Sequence, residues 1–160
     1  MTRRVFYSFH YQSDAWRAAM VRQIGSIEGN ASANDNDWEK IKLGGDAAIA
    51  RWINSQLENR SCTVVLVGAQ TSQRRWVRYE IEKSWSKGMG VFGIRIHRLL
   101  NSDRVPSSPG GNPFDFVRID GQPLSTTVPL YDPSGRNSQE VYGIISSNIQ
   151  NWIERAVGAR

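Results

Sequence analysis

Residues 44–68 read GGDAAIARWINSQLENRSCTVVLVG and combine an amphipathic helix with an uninterrupted apolar strand. The glycine pair 44–45 makes the turn before the helix, and Asp46 is its expected N-cap. Apolar residues then recur at the spacing of one helix face: Ile49, Trp52, Ile53 and Leu57. The run CTVVLVG follows, and an apolar run of this length is typical of a strand covered on both faces. Because parallel strands need crossover helices of this kind, the stretch predicts a parallel α/β sheet.

The rest of the chain continues this alternation of strands and helices. Residues 4–11, RVFYSFHY, are rich in aromatic and β-branched side chains and predict a buried first strand. Residues 90–97, GVFGIRIH, predict a further strand, and residues 128–131 predict a short one. We therefore expect a single domain over residues 1–160, with a flavodoxin-like, doubly wound parallel sheet of about five strands and helices on both faces.

Short polar side chains mark the expected starts of the helices. The candidate N-caps are Ser13 or Asp14 for the first helix, Thr71 or Ser72 for the helix after the central strand, and Asn137, with Glu140, for the last. The first helix is expected to bury Trp16, Met20 and Ile24, which follow at helical spacing. The last helix is expected to bury a longer stripe: Val141, Ile144, Ile145, Ile149, Trp152 and Ile153.

Two stretches give weaker signals. Residues 25–43 include the polar run GNASANDND, and a second strand could lie on either side of it. Residues 98–117, RLLNSDRVPSSPGGNPFDFV, are irregular and heavy in Pro, Gly and Ser. Loops of that length inside a compact domain tend to be functional or disordered.

Composition and charge narrow the class of protein. The formal charge is +5, but the basic residues are scattered, so we expect a general attraction for polyanions and no nucleic-acid partner. One cysteine, Cys62, and two histidines are too few for a disulfide framework or a convincing metal site. No apolar run approaches the roughly 20 residues of a membrane span, and the N-terminus lacks a signal-peptide core. We expect a cytoplasmic protein without a metal or a membrane partner.

Residues 71–85, TSQRRWVRYEIEKSW, hold the most informative acidic side chain. At about 100° per residue, Glu80 falls on the inward arc that Trp76 and Ile81 define, whereas Glu82 falls on the opposite, solvated side. A carboxylate on an inward face has to be paired, hydrated or functional. Two interpretations of Glu80 are open, a catalytic or ligand-binding role and a buried structural ion pair.

Further site candidates come from the ends of the predicted strands, because ligands of open α/β sheets bind outside those carboxyl ends. The candidates by position are Ser8, Phe9, His10 and Tyr11 at the end of the first strand, the glycine pair 44–45 and Asp46 before the second helix, and His97. For His97, satisfying a strand-end hydrogen bond is the favoured role.

The aromatic side chains have two competing interpretations. They could stack on a base or nicotinamide ring, or they could pack in the core, which is the commoner role; the rings concerned are those of Phe6, Phe9, Tyr11 and Trp76. A partly desolvated carboxylate beside such rings suits cleavage of a glycosidic bond, because it stabilises an oxocarbenium-like transition state.

These residues resemble the TIR domain superfamily. A strand ending in YSFHY with Asp14 soon after is similar to the family's first strand and loop. Residues 44–85 are similar to the segment from its BB loop to its third helix, including the pattern formed by Ser72, Trp76 and Glu80. More narrowly, SFHY, IHRLLN at 96–101 and GGNPF at 110–114 resemble the bacterial and archaeal TIR-like proteins, which include the sensor subunit of the Thoeris anti-phage system. The resemblance covers roughly residues 3–120 of this TIR-like fold.

The resemblance implies an NAD-cleaving enzyme in which Glu80 is the catalytic residue. NAD would be the substrate, no separate cofactor would be needed, and the product would be a cyclic ADP-ribose isomer or a related conjugate that activates a separate effector protein. The expected substrate-binding residues are Phe6, Ser8, Phe9, His10, Tyr11, Gly45, Asp46, Ser72 and Trp76. One departure from the common pattern is Val77, at a position where many TIR domains have Cys.

Two alternatives belong to other classes of protein. One is a non-catalytic TIR-like interaction module that signals through surface contacts. The other is a receiver-like or flavin-binding domain, for which the chain lacks an acidic cluster after its first strand and a convincing phosphate loop. Exposed aromatic residues such as Trp38 could also support a homo-oligomer.

Overall fold

A computed structural model describes residues 3–24, 27–29, 41–100, 104 and 106–160. The strands in this part of the chain are β1 Arg4–Ser8, β2 Glu28–Gly29, β3 Cys62–Val67, β4 Gly90–Arg95, β5 Arg118–Ile119, β6 Gln122–Pro123 and β7 Leu130–Tyr131. The longer helices are α1 Tyr11–Arg22, α2 Gly45–Leu57, α3 Arg75–Ser86 and α4 Ser138–Gly158. Trp38 lies outside these described ranges.

The central sheet has five parallel strands in the order β2-β1-β3-β4-β7. This arrangement is the flavodoxin-like order, and it places the topological switch point between β1 and β3. The predicted fold class is therefore confirmed. Strand β2 lies on the N-terminal side of the polar run GNASANDND, and its last residue, Gly29, is the first residue of that run. Of the two positions that the sequence left open for the second strand, the structure therefore has the earlier one.

Helices cover both faces of the sheet. On one face, Phe6 of β1 packs with Ile49 and Ile53 of α2, and Thr63 of β3 contacts Ser84 of α3, with 2.6 Å between their hydroxyl oxygens. On the other face, α4 packs against β4, and the ring of Trp152 meets Phe92 edge-on. In the described residues, no helix combines the length and the apolar character needed to cross a bilayer.

The first strand is shorter than predicted because the chain turns into α1 directly after it. β1 ends at Ser8 and Tyr11 is already helical, so the expected strand over residues 4–11 is too long. The cap of α1 is the His10 side chain, whose Nδ1 accepts a hydrogen bond from Ser13 N at 3.0 Å. The prediction of Ser13 or Asp14 as N-cap was therefore wrong.

The buried face of α1 also differs from the predicted stripe. Of the three predicted residues, Ile24 is buried and Met20 packs against the core, but Trp16 is 59% exposed. The helix instead buries Asp14, Arg17, Ala18 and Val21. The polar pair is accommodated because Arg17 Nη1 donates to Asp14 Oδ1 at 3.2 Å and Arg17 Nε donates to Leu99 O at 2.8 Å. Hydrophobic spacing alone misses a helix face that carries a buried ion pair.

The starts of the other helices confirm one cap prediction and correct two. Asn137 Oδ1 accepts from Glu140 N at 2.9 Å, as predicted for the last helix. Asp46 lies in the first turn of α2, one residue inside its start, and Gly44 is the N-cap. Thr71 Oγ1 accepts from Gly68 N at 2.8 Å in a separate 3-10 turn, so it does not cap α3.

From residue 106 onward, the irregular region before β7 packs against the rest of the domain. Its GGNPF motif leads into a 3-10 turn at Pro113–Phe116, and a short β5–β6 hairpin follows. Phe114 is fully buried against Gly93, where an added Cβ would lie 2.9 Å from the ring. Other apolar residues of this insertion, Val117, Leu124 and Val128, also join the main core.

Gly90→Ala is expected to lower the free energy of unfolding by about 1–3 kcal/mol. An added Cβ would lie 2.7 Å from Ala156 C and Val157 N, which belong to the backbone of α4 and cannot move as a flexible side chain would. The matched control is Gly143→Ala in the same helix, where no atom lies within 4 Å and a gain of about 0.5–1 kcal/mol is expected. Urea unfolding measures both changes, and equal effects of the two substitutions would contradict this packing of α4 on β4.

Candidate active site

Buried polar side chains gather where β1, β3 and β4 end, on the side of the sheet at which parallel α/β proteins bind ligands. The strand-end and neighbouring residues of this kind are Ser8, His10, Asp14, Thr71, Ser72, Glu80 and His97. Each is at most 9% exposed. Buried polar groups need hydrogen-bond partners and are uncommon in a core that only packs, so their concentration at this edge of the sheet marks it as the candidate site.

Glu80 lies on α3 and faces the inside of the molecule, as the helix periodicity predicted. It is 9% exposed, whereas Glu82 is exposed. Phe6 and Ser8 project from the same face of β1, and Phe6 pairs with Thr63, whose hydroxyl contacts α3. Ser8 therefore projects towards the helix that carries Glu80.

The carboxyl group of Glu80 is desolvated and incompletely paired. Burial raises its pKa to about 8, and the Ser8 hydroxyl is the neighbour that favours the ionised form. Glu80 Oε2 and Ser8 Oγ are both buried, and neither completes a hydrogen bond of standard geometry with the described residues. None of those residues forms an ion pair with Glu80, so the structural ion-pair interpretation has no support in this part of the chain.

Asp14 is a second buried carboxyl group at this edge. Burial raises its pKa, and Arg17 beside it acts in the opposite direction. The Asp14 carboxylate packs on Gly68, since a Cβ added to Gly68 would lie 2.2 Å from Asp14 Oδ2. The ion pair thus joins the start of α1 to the end of β3. The sequence offered one signal for it, an aspartate and an arginine at helical i,i+3 spacing.

The surroundings of both histidines lower the pKa of the imidazole and so favour its neutral form. Burial lowers the pKa of His10, and Arg74 lowers it further while Asp14 raises it. Burial also lowers the pKa of His97, with Arg98 as the next cause. The strand-end hydrogen bond expected of His97 is made by its backbone, because His97 O accepts from Ser107 N at 2.9 Å while Nδ1 has no partner among the described residues.

The GGNPF motif covers the β3 side of the site. Gly110 has φ +72°, and an added Cβ would lie 2.5 Å from Gly68 O. A Cβ added to Gly111 would lie 2.9 Å from Ser72 Oγ. Arg95 holds this stretch from below, because its Nη1 donates to Pro109 O at 2.7 Å and to Gly110 O at 3.0 Å. These contacts are long-range, so the sequence could not show that the motif packs on the site.

The aromatic candidates fall into two groups. Phe6 is 2% exposed and packs with residues of α2, so its side chain belongs to the core. Phe9, Tyr11 and Trp76 are half-buried, and the first two rings stack with their centroids 6.3 Å apart. Trp76 meets the Tyr79 ring edge-on at 5.3 Å. These three rings retain surface that a ligand could contact.

Gly45 and Asp46 lie on the rim of this region. Both are exposed, and Asp46 Oδ2 lies 2.9 Å from Arg75 Nη1 in the first turn of α3. This exposed ion pair joins the starts of α2 and α3. Among the described residues, no group of three His, Cys, Asp or Glu side chains is placed to hold a metal ion.

Two comparisons with known proteins show what this chain is similar to. The sequence model of the family described as "Thoeris protein ThsB, TIR-like domain" matches residues 6–101, which include Ser8, Asp14 and Glu80. A protein of Bacillus cereus (strain MSX-D12), named "Putative cyclic ADP-D-ribose synthase ThsB1", is 39% identical over 145 residues. That alignment covers 88% of this chain and 76% of the relative.

Proposed function

This chain belongs to the family of Thoeris protein ThsB TIR-like domains, and from that premise we propose that it cleaves NAD in anti-phage immunity. The bond broken is the one between nicotinamide and ribose. The product is a cyclic ADP-ribose isomer, or a related ADP-ribose signal, that diffuses to a separate effector protein. The relative's name as a cyclic ADP-D-ribose synthase supports this reaction.

The observation that carries the proposal is that the carboxyl group of Glu80 is buried and incompletely paired. A catalytic carboxylate at this position has to face the positive charge that develops on the substrate. Glu80 has a buried carboxyl oxygen that has no hydrogen-bond partner among the described residues. It lies beside the end of β1, at the switch point where this strand order binds ligands. A purely structural acid would be expected to have a partner there.

The proposed reaction uses the charge of Glu80. When the C–N bond breaks, its electron pair goes to the nicotinamide nitrogen, which becomes neutral, and the ribosyl carbon takes up the positive charge. The Glu80 carboxylate stabilises this oxocarbenium-like state, and a low local dielectric strengthens the interaction. An oxygen or nitrogen nucleophile of the same ADP-ribose then attacks that carbon and loses its proton, which closes the ring. NAD is consumed as substrate, so the step requires no further cofactor.

The other site residues would hold the substrate around Glu80. Ser8 lies next to the carboxyl group, and the partly exposed rings of Phe9, Tyr11 and Trp76 offer stacking surfaces for a base or for nicotinamide. The other contributors that we propose are His10, Ser72, Gly45 and Asp46, with Phe6 supporting β1 from the core. The setting would be the cytoplasm, where NAD and the effector are available; a homo-oligomer is part of the same proposal.

The direct test is mass-resolved chromatography of NAD incubated with the protein from cells grown with and without phage challenge. We expect nicotinamide together with a product lighter than ADP-ribose by one water. In oxygen-18 water, cyclisation leaves the product unlabelled, whereas hydrolysis gives labelled ADP-ribose. If the folded protein converts no NAD under either condition, the enzyme proposal fails, and an interaction module becomes the better description.

A further inference from the structure

We infer that the positively charged nicotinamide ring of the substrate is the counter-ion that Glu80 lacks, so that binding of oxidised NAD and loss of the Glu80 proton are one event. This inference rests on the proposed function. It adds that the site recognises the charge of the ring and is specific for the oxidised dinucleotide. It also makes the substrate itself the switch that ionises the catalytic residue.

The positively charged side chains of α3 are directed away from Glu80. Arg75 pairs with Asp46 on the exposed rim. Arg78 donates through Nε and Nη2 to Ser72 O, at 3.0 and 2.8 Å. Lys83 lies over the Tyr79 ring at 5.8 Å. Each of these positive groups is thus engaged away from the inward face of the helix.

In the described ranges, the elements packed against α3 also supply no cation to Glu80. Arg95 of β4 binds the backbone oxygens of Pro109 and Gly110. In the strand-end region Arg74 acts on His10, and Arg17 pairs with Asp14. From α2 and from the Pro113–Phe116 turn, the charged groups Asp46 and Asp115 are acidic and exposed, and Arg51 is exposed as well.

The remaining titratable groups near α3 do not pair with Glu80 either, within the described residues. Tyr79 Oη donates to Asn54 Oδ1 at 3.2 Å, and Cys62 lies on the face of β3 opposite to Thr63. In the described residues, only burial and the Ser8 hydroxyl act on the ionisation of Glu80. Among the described residues, the site therefore holds a buried carboxyl group without a positive charge to pair with its ionised form.

A ligand can supply that charge. Without one, a carboxyl group with a pKa of about 8 is mostly protonated at neutral pH and gives little stabilisation to an oxocarbenium ion. A unit positive charge in contact with it shifts the ionisation equilibrium by about a thousandfold towards the carboxylate. Oxidised NAD carries this charge on its pyridinium ring, whereas the dihydropyridine ring of the reduced form is neutral.

The same linkage provides a route for the proton at the end of the reaction. After the C–N bond breaks, the positive charge resides on the ribosyl carbon. Attack by the internal nucleophile moves this charge to the nucleophile, which becomes neutral when it loses a proton. The proton that the nucleophile loses can pass to the Glu80 carboxylate. The neutral acid is then restored next to a product without the cationic ring, which favours product release and prepares the site for the next substrate.

Calorimetric titration of the full-length protein tests the linkage with two probes. The cationic probe is carba-NAD, in which a methylene replaces the ring oxygen of the nicotinamide ribose and prevents cleavage; the neutral probe is NADH. Between pH 6 and 7.5 we expect Kd of the cationic probe to fall nearly tenfold per pH unit, with release of about one proton, and to level off above pH 8. Kd of NADH should stay nearly constant with pH.

Variants separate the linkage from a general effect of pH. In Glu80→Gln the pH dependence and the preference for the cationic probe should vanish, and in Glu82→Gln both should persist. In Ser8→Ala the midpoint should move to higher pH, because the hydroxyl that favours the carboxylate is removed.

The outcomes distinguish this inference from the function on which it rests. If wild type binds or cleaves NAD but releases no proton and shows a flat Kd, only the counter-ion inference is overturned. If wild type binds neither probe and cleaves no NAD, the proposed function is overturned with it.

Discussion

Glu80→Gln is expected to reduce the rate of nicotinamide release from NAD by at least about 10²–10³-fold, the usual effect of removing one electrostatic stabiliser from a transition state. Glutamine keeps the size and much of the hydrogen-bonding capacity of glutamate but cannot carry the negative charge. Because Glu80 faces the inside beside Ser8 and has no protein counter-ion in the described residues, the lost charge has no substitute there. Chromatographic measurement of nicotinamide and of the ADP-ribose product gives the rate.

Glu82→Gln is the matched control for that experiment. Glu82 lies two residues further along the same helix, carries the same carboxyl group and is exposed. Its replacement should change the rate by no more than about twofold, as is usual for surface substitutions. Equal losses in both variants would refute the assignment of the inward face of α3 as the catalytic face.

The same Glu80→Gln substitution is expected to stabilise the fold, increasingly so as pH rises. The pKa of Glu80 is about 8 in the folded protein against an ordinary value of 4.5. Below pH 4.5 the group is protonated in both states and contributes nothing. Between these two values the unfolded chain loses the proton while the folded protein keeps it, so wild type loses stability as pH rises. Above pH 8 the loss is complete and constant, at up to about 5 kcal/mol.

Thermal unfolding of wild type and Glu80→Gln at several pH values between 5 and 9 measures this effect. The difference in Tm should widen through the window and level off near its upper end, reaching on the order of 10 °C for a domain of this size. Glu82→Gln should show no such trend. A Glu80→Gln variant that is less stable at every pH would indicate instead that Glu80 holds a cation from outside the described ranges.

The local sequence pattern was sufficient to predict the class of the sheet, its central strand β3 and the inward direction of Glu80. The run CTVVLV could be assigned to a fully covered strand because all six residues of β3 are apolar, small or β-branched, and all are buried. The direction of Glu80 followed from helix geometry alone, since Trp76 and Ile81 bound the inward arc of α3 and Glu80 falls inside it. For both β3 and α3, the residues that hydrophobic spacing assigns to the inside are the residues that the structure buries.

The pattern failed where polar groups take core positions. Asp14 and Arg17 are buried as a pair, so α1 turns a face inward that hydrophobic spacing assigns to solvent, and Trp16 turns outward. His10 was identified as a site candidate, but its role as the cap of α1 was not, since histidine is an uncommon N-cap. The contact of Gly110 with the end of β3 depends on tertiary structure, which no local window contains.

The contact between Asp14 and Gly68 also constrains how this family can diverge. Because there is no room for a methyl group at Gly68 while the aspartate is present, the two positions are coupled although they lie far apart in the chain. A lineage could acquire a side chain at position 68 only after, or together with, a shorter residue at position 14. The loss of Asp14 would in turn leave Arg17 buried without its carboxylate. This edge of the cleft is therefore expected to change as a set of three residues, and drift at any one of them alone is disfavoured.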